Sequence, residues 1–389
     1  MKLTPIHPFP ARMAPEIVIR ELEGLSTHRT ILDPMTGSGT VLRAAAELGH
    51  RAIGYDIDPL AVLMARVWTT PFRVAQLSAA ADELVLEAKA ARSVRLPWID
   101  ECEETRRYVN FWFGRKQKEA LRHLSFALAR RSGPLADAMR VALSRIIITK
   151  ERGASVARDC SHSRPHRVFF ENDYDVYKGF LRSAGQLTER LTPQRLLTSV
   201  AVKRGDARRL SGLPPNSVDV AITSPPYLNA IDYLRGHRLS LVWFGYGLPA
   251  LRSLRAASIG SERSAKITAS ELERLLPEAG DVDKLPPREF GMLRRYAQDV
   301  YGFVSELARV VKKGGRVLLV VGNSCLKGVP LCNADINVAA AKMLGLQVVR
   351  RSERPLPPSR RYLPTPLPKK SGTLDRRMNC ETLLAFSVH

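Results

Sequence analysis

The sequence predicts an α/β fold, a mostly parallel sheet flanked by helices and interrupted by a largely helical insertion. Three observations predict it. Short apolar runs ending in acids alternate with helical periodicity over 1–72 and again from about 200 onward. Between 73 and 199 that alternation disappears and helical periodicity dominates. A Gly-rich turn follows the first apolar run, as a strand–turn–helix unit requires.

In chain order, Arg29–Asp33 reads as a buried parallel strand and Pro34–Gly39 as a turn. Val41, Ala45 and Leu48 then share a helical face, with Gly49 placed to end the helix. Arg51–Asp56 reads as the second strand, and Asp58-Pro59 as the cap and first position of another helix. The insertion predicts helices over 75–92, 103–131 and 134–149, followed by a basic loop through Arg167. Strands resume at 197–202 and 218–223. A second, smaller insertion covers 246–290. A helix at 296–312 stops before Gly314-Gly315, and a strand follows at 316–322. A helix near 334–344, a strand at 346–351, a Pro/Arg-rich stretch at 350–377 and a last strand from Glu381 to Val388 complete the chain.

The chain has 389 residues, 45% apolar, enough for a sizeable core. No stretch is long and apolar enough to predict a membrane span, and the N-terminus lacks a signal-peptide pattern, so a cytoplasmic, nucleoid-associated protein is expected. The five cysteines are scattered without a CxxC pair, and Cys160, His162 and His166 do not make a convincing metal set; no metal is expected. Lys and Arg number 60 against 38 Asp and Glu, a formal charge of +22. Residues 106–209 hold 23 Lys and Arg against 9 Asp and Glu. A local excess of this size points to a polyanionic partner rather than a merely solvated surface.

Two motifs carry chemistry. The first is Asp33-Pro34-Met35-Thr36-Gly37-Ser38-Gly39-Thr40, with Asp56 ending the next strand. Glycines at such a turn let the backbone approach a ligand, and an acid on the second strand accepts hydrogen bonds from ribose hydroxyls. No Gly-Lys-Ser/Thr follows and the third glycine of the dinucleotide fingerprint is missing, which favours a smaller adenosine-containing ligand. The second is Thr223-Ser224-Pro225-Pro226-Tyr227 at the end of an apolar strand. Two prolines stiffen it into a loop that cannot join a sheet ladder. An exocyclic amino nitrogen on a nucleobase is a poor nucleophile because its lone pair is delocalised. Acceptors on its N–H groups, here the Pro225 carbonyl and the Ser224 hydroxyl, free that lone pair, and Tyr227 offers a flat face for stacking. A paired base must flip out to reach such a pocket.

With these residues in view, the chain resembles the S-adenosylmethionine-dependent amino-methyltransferases that modify DNA at cytosine N4 or adenine N6. The resemblance covers 5–70 and 200–245 strongly and 296–388 in outline. It implies a Rossmann-like class I methyltransferase fold, with a mostly parallel seven-stranded sheet and an antiparallel last strand. It implies a catalytic domain over 1–72 and 200–389, with 73–199 a candidate target-recognition insertion. His7-Pro8-Phe9-Pro10-Ala11-Arg12 matches the motif that closes over the cofactor's methionine part. Residues 33–40 match the cofactor loop, Asp56 with Ile57 the ribose acid, and Asp206-Ala207 the adenine contact, with Thr223 a further cofactor contact and 224–227 the catalytic motif. Serine at 224 favours cytosine N4 over adenine N6. The cofactor motifs precede the catalytic motif, and about 130 residues separate Asp56 from Asp206's strand, so the target-reading segment is open between 100–200 and 246–290.

Arg152, Arg158, Arg164 and Arg167, and Arg360-Arg361 beside Tyr362, are candidate DNA contacts. Asn110-Phe111-Trp112-Phe113 reads as core packing. Duplex DNA is the expected partner, with a restriction endonuclease as a companion activity and a monomer or dimer as the assembly. An RNA base methyltransferase on the same fold, an adenine-N6 enzyme and a non-catalytic DNA-binding copy are the alternatives. A C5-cytosine mechanism needs a Pro-Cys loop that this catalytic segment lacks.

Overall fold

The computed structural model describes residues 3–9, 12–26, 28–149, 152–158, 165–167, 173–192, 196–228, 232–261, 267–356 and 380–389. The chain opens with α1 (Pro15–Glu23), β1 (Thr30–Asp33), α2 (Thr40–Glu47), β2 (Arg51–Asp56) and α3 (Pro59–Thr69). The insertion supplies α4 (Gln76–Ala90), the single turn α5 (Pro97–Asp100), α6 (Glu103–Trp112), α7 (Arg115–Ala129) and α8 (Pro134–Arg145). It continues through a two-residue pair, β3 (Ala157–Arg158) and β4 (His166–Arg167), to α9 (Val176–Leu191). Then come β5 (Val200–Arg204), β6 (Val218–Thr223), α10 (Tyr233–Leu241), α11 (Leu248–Ala256), α12 (Ala269–Leu275) and α13 (Pro287–Val310). The last part holds β7 (Val311–Gly322), a small pair β8 (Ser324–Leu326) and β9 (Val329–Leu331), α14 (Asn333–Met343), β10 (Leu346–Pro355) and β11 (Cys380–Val388).

Seven strands form one sheet in the order β10-β11-β7-β6-β1-β2-β5. All run parallel except β11, which is antiparallel to both β7 and β10. This is the Rossmann-like methyltransferase architecture that the resemblance implied. Both faces of the sheet are covered, because alternate residues of each strand point to opposite sides. Ile31, Val220, Ile222, Leu318 and Val320 enter one apolar core with α1–α3. Leu32, Ala221, Val317, Leu319 and Val321 enter the other, with α13 and α14.

The insertion helices do not form a core of their own. Leu84, Leu121, Leu143 and Phe180 belong to the same cluster as Leu60, Met64 and Trp68 of α3. Helices α4 and α7–α9 therefore thicken the helical layer of α1–α3.

Several boundaries differ from the sequence reading. The helix expected over 103–131 breaks at Phe113-Gly114, where the backbone is extended at both residues. The helix expected at 296–312 begins earlier, at Pro287, and the following strand begins at Val311 rather than after Gly314-Gly315. The glycine pair sits inside the strand, where the β6–β7 register shifts between Val218 and Val220. The local signal of Gly-Gly as a stop is overridden by pairing to β6. The strand expected at 197–202 lies at 200–204, aligned by β2.

Candidate active site

The sheet order reverses between β1 and β6. From β1 the chain winds outward to β2 and β5, and from β6 it winds the other way to β7. The crevice outside the carboxyl ends at such a reversal is the ligand site of open α/β sheets. The loop 33–40 leaves β1 there and Ser224 leaves β6 there. Strand register keeps the ends level, with Asp33 opposite Gly54, Leu32 opposite Ala221 and Asp56 opposite Arg204. Ser224, Asp33, Asp56 and Asp206 thus follow four successive strand ends. At ~4.8 Å per strand the row spans roughly 14 Å, the scale of an extended nucleoside with a short amino-acid tail.

The glycine loop is built by close approach. Gly37 and Gly39 take φ of 50° and 92°. A Cβ on Gly37 would lie 3.1 Å from the Phe9 ring, and one on Gly39 would lie 3.0 Å from the Ala65 backbone on α3. The Thr36 N–H donates to the Tyr55 carbonyl (2.9 Å), and the Gly37 N–H donates to Asp56 Oδ2 (2.8 Å). The Asp58 N–H donates to Asp56 Oδ1 (2.9 Å). Asp56 is therefore fixed between loop and strand, with one lone pair left on each oxygen. The side-chain oxygens of Thr36, Ser38 and Thr40 are buried without a hydrogen-bond partner. Buried hydroxyls are costly to leave unpaired, and a polar ligand seated on this loop would satisfy them. The residues present fit an adenosine-containing ligand.

Asp33 does not face solvent; it is 3% exposed. Its Oδ1 accepts from the Thr223 hydroxyl (2.8 Å) and the Met35 N–H (3.1 Å), joining the glycine loop to the root of the 224–227 segment. Burial pushes its carboxyl up to about 7, against the two hydrogen bonds that pull it down, and Asp56 adds to the rise. Pro34 is buried beside it, and Met35 packs into the second core. The folded protein thus holds the Asp33 proton more tightly than the unfolded chain, where Asp titrates near ~3.9. The associated stability is present below about pH 4 and is lost as pH rises through about 7. Asp33→Asn keeps an acceptor for both donors without the charge. We expect it to flatten the decline in unfolding free energy between pH 4 and pH 7.5 by an amount on the order of a few kcal/mol. Urea titrations across that range measure this, and parallel pH curves for variant and parent would reject the role of Asp33.

The N-terminal segment lies over this loop. Phe9 stacks on Tyr233 at 5.2 Å and 14°, and is tilted against His237 at 5.6 Å. His7 Nε2 is 3.0 Å from the Ser144 hydroxyl of α8, while Pro8 is exposed. Below them, His237 Nδ1 lies 2.5 Å from Asp58 Oδ2, with both side chains buried. Asp58 Oδ1 meanwhile caps α3 by accepting from the Leu60 N–H (2.8 Å). Helix α10 is therefore tied to the β2–α3 turn. Ile57 in that turn packs against the first core. No local pattern in the sequence marks His237, Ser144 or Tyr233; their partners lie far away along the chain.

In the segment 224–227, the Ser224 hydroxyl donates to the Val320 carbonyl of β7 (3.0 Å) and lies 3.3 Å from the Tyr227 hydroxyl. With its hydrogen so committed, Ser224 Oγ can only accept in any further hydrogen bond. Pro225 is buried and Pro226 half-buried. Burial drives the Tyr227 phenol above its ordinary range, with Glu381 adding to the rise, so it stays protonated. The exit of the loop is held by Ser324, whose hydroxyl donates to the Leu228 carbonyl (2.5 Å) and accepts from Asn333 Nδ2 (2.7 Å).

Asp206 follows β5, with Ala207 buried behind it. Its carboxylate is gripped by Arg208, a residue the sequence reading passed over. Of the candidate DNA contacts, Arg152 is exposed and paired with Asp173 (2.9 Å). Arg167 is exposed on β4, with its guanidinium 5.2 Å from the ring of Phe111, itself half-exposed rather than core. Arg158 ends β3. Arg164, Arg360 and Arg361 lie outside the described residues, as do Cys160, His162 and Tyr362. Among the described residues no group of His, Cys, Asp and Glu is placed to hold a metal, and no helix is long and apolar enough to cross a membrane.

The chain is similar to type II methyltransferases. It is 23% identical over 288 residues to type II methyltransferase M.BsoBI of Geobacillus stearothermophilus, covering 64% of this chain and 54% of that one. It is 34% identical over 83 residues to type II methyltransferase M.MvaI of Kocuria varians, covering 20% of this chain and 18% of that one. The chain thus spans about half the length of the first relative. No family model matches it. A TehB-like SAM-dependent methyltransferase from Corynebacterium glutamicum overlays 97% of this chain and 89% of its own at 8% identity, with a TM-score of 0.32. The overlay places no individual residue. Sheet order, glycine loop and strand-end acid fit S-adenosylmethionine as the cofactor.

Proposed function

We propose that the protein transfers the methyl group of S-adenosylmethionine to the exocyclic N4 of a cytosine flipped out of duplex DNA. One observation carries the reading. Ser224, at the strand end beside the glycine loop, has its hydroxyl hydrogen on Val320 and its oxygen left to accept.

In this reading Asp56 receives the ribose hydroxyls, Asp206 the adenine amino group, and the loop 36–40 the amino-acid tail. Phe9 and His7 close over the tail from the N-terminal side. The bound cofactor supplies a methyl group already activated on a sulfonium sulfur. Ser224 Oγ and the Pro225 carbonyl accept the two N–H groups of the target amine and rotate its lone pair out of the ring. That pair forms the new N–C bond as the S–C bond breaks onto sulfur, and one amino proton leaves to solvent. The dry, preorganised acceptors do this without reorganisation at the moment of transfer. Serine rather than Asp or Asn at 224 supports cytosine N4.

The charge of +22 supports a nucleic-acid substrate. Replacing Arg152 and Arg167 together by glutamine is expected to weaken DNA binding and reduce the log–log salt slope by about two. Filter binding at a series of salt concentrations reads this, and an unaltered slope would move the DNA surface elsewhere. The reading as a whole is tested by modification-sensitive sequencing of DNA from cells expressing the protein. N4-methylcytosine in a fixed sequence context is the expected result. Methyl groups on adenine N6, or on RNA and not DNA, would overturn it.

A further inference from the structure

We infer that Arg208 is the positioning residue that aims Asp206 at the adenine of the cofactor. The inference rests on the cofactor reading above and adds a residue to it.

Arg208 sits two residues beyond Asp206 and folds back on it. Its backbone N–H donates to Asp206 Oδ1 (2.9 Å), Nε donates to Oδ1 (3.0 Å) and one terminal nitrogen donates to Oδ2 (2.6 Å). The same nitrogen donates to the Ala257 carbonyl (2.5 Å). The other terminal nitrogen donates to Asp299 Oδ1 of α13 (2.6 Å). Asp299 Oδ2 in turn accepts from the Gly260 N–H (2.7 Å). One guanidinium thus joins the strand-end acid, the segment after α11 and the long helix beneath.

Burial opposes the charge of Arg208, but Asp206 and Asp299 outweigh it and hold the guanidinium above its ordinary range. The side chain of Asp299 is fully buried and that of Arg208 is 9% exposed, while that of Asp206 is 33% exposed. The acid therefore has one face on the fork and another open to solvent. A planar fork fixes a carboxylate in orientation as well as place, which an ammonium does not. Nε is also shared with Oδ2 at 3.2 Å, so Arg208 fixes the plane of the Asp206 carboxylate and determines how its exposed part is turned.

A merely structural role and a positioning role differ in one readout. Calorimetry with the full chain compares S-adenosylhomocysteine with S-inosylhomocysteine, which lacks the adenine amino group. Parent protein is expected to prefer the adenosyl ligand by about tenfold or more, since a site built to accept an amino group rejects the analogue without it. In Arg208→Lys the preference is expected to fall to about threefold or less, while charge balance with Asp299 is kept. Asp299→Asn, whose single amide oxygen can accept from Arg208 or from the Gly260 N–H but not from both, gives a second reading that leaves Arg208 in place and is expected to lower the preference in the same direction. It decides the matter if Arg208→Lys does not fold. Equal weakening of both ligands, with the preference intact, would make Arg208 structural and overturn the inference while sparing the cofactor site. Parent protein that binds neither ligand, or both equally, would overturn the reading of Asp206 itself.

Discussion

Replacing Ser224 by alanine is expected to lower methyl-transfer turnover by about two to three orders of magnitude, the usual loss for one preorganised electrostatic contact. The cofactor's Kd should stay within about threefold, because Ser224 is not itself among the expected cofactor contacts. The reason is the direction of one hydrogen bond. Ser224 gives its hydrogen to Val320, so what it offers the target amine is an acceptor. Alanine removes that acceptor and leaves the amine lone pair in the ring. Tyr227→Phe should cost less than Tyr227→Ala, since phenylalanine keeps the flat face and loses only the hydroxyl 3.3 Å from Ser224. Single-turnover kinetics with labelled cofactor separates binding from chemistry. Full turnover in Ser224→Ala would remove this segment from the chemistry.

The second large effect is expected at Gly39. Gly39→Ala should abolish measurable cofactor binding and cost roughly 2–4 kcal/mol of stability, from left-handed strain and overpacking together. With φ at 92°, an L side chain is strained before any contact is considered. The new Cβ would then sit 3.0 Å from the Ala65 Cα and Cβ, where the obstacle is helix α3 itself rather than a movable side-chain tip. Moving the loop off α3 also moves the Gly37 N–H from Asp56. Gly37→Ala meets instead the Phe9 ring, which can swing aside, and its stability loss should be smaller. Urea midpoints and calorimetry together check the pair. A Gly39→Ala protein that binds cofactor normally would contradict the close-approach account.

Much of the site edge was legible in the sequence. Asp33, the 36–40 turn, Asp56, Asp206 and Ser224 were each marked by a strand followed by a turn. Such signals are local, because turn chemistry and two-residue alternation act over a few positions. What lay beyond was the company these residues keep. Arg208 looked like one more cation in a basic stretch, and its partners Ala257 and Asp299 come 49 and 91 residues later. His237 carried no pattern at all, since Asp58 is 179 residues away. Phe111 read as core but stands half-exposed beneath Arg167, because the helix that was expected to run on to 131 breaks two residues after it.

The sequence by itself determined the alternation of strands and helices, the residue types at each strand end and the basic charge of the chain. Its information there is short-range, and the α/β class follows from it. The tertiary structure alone decided that the insertion joins the core of α1–α3, that Phe9 closes on Gly37, and which way the Ser224 hydrogen points. Those outcomes depend on packing and hydrogen-bond partners brought together by the sheet order, and no neighbouring residue in the chain encodes them.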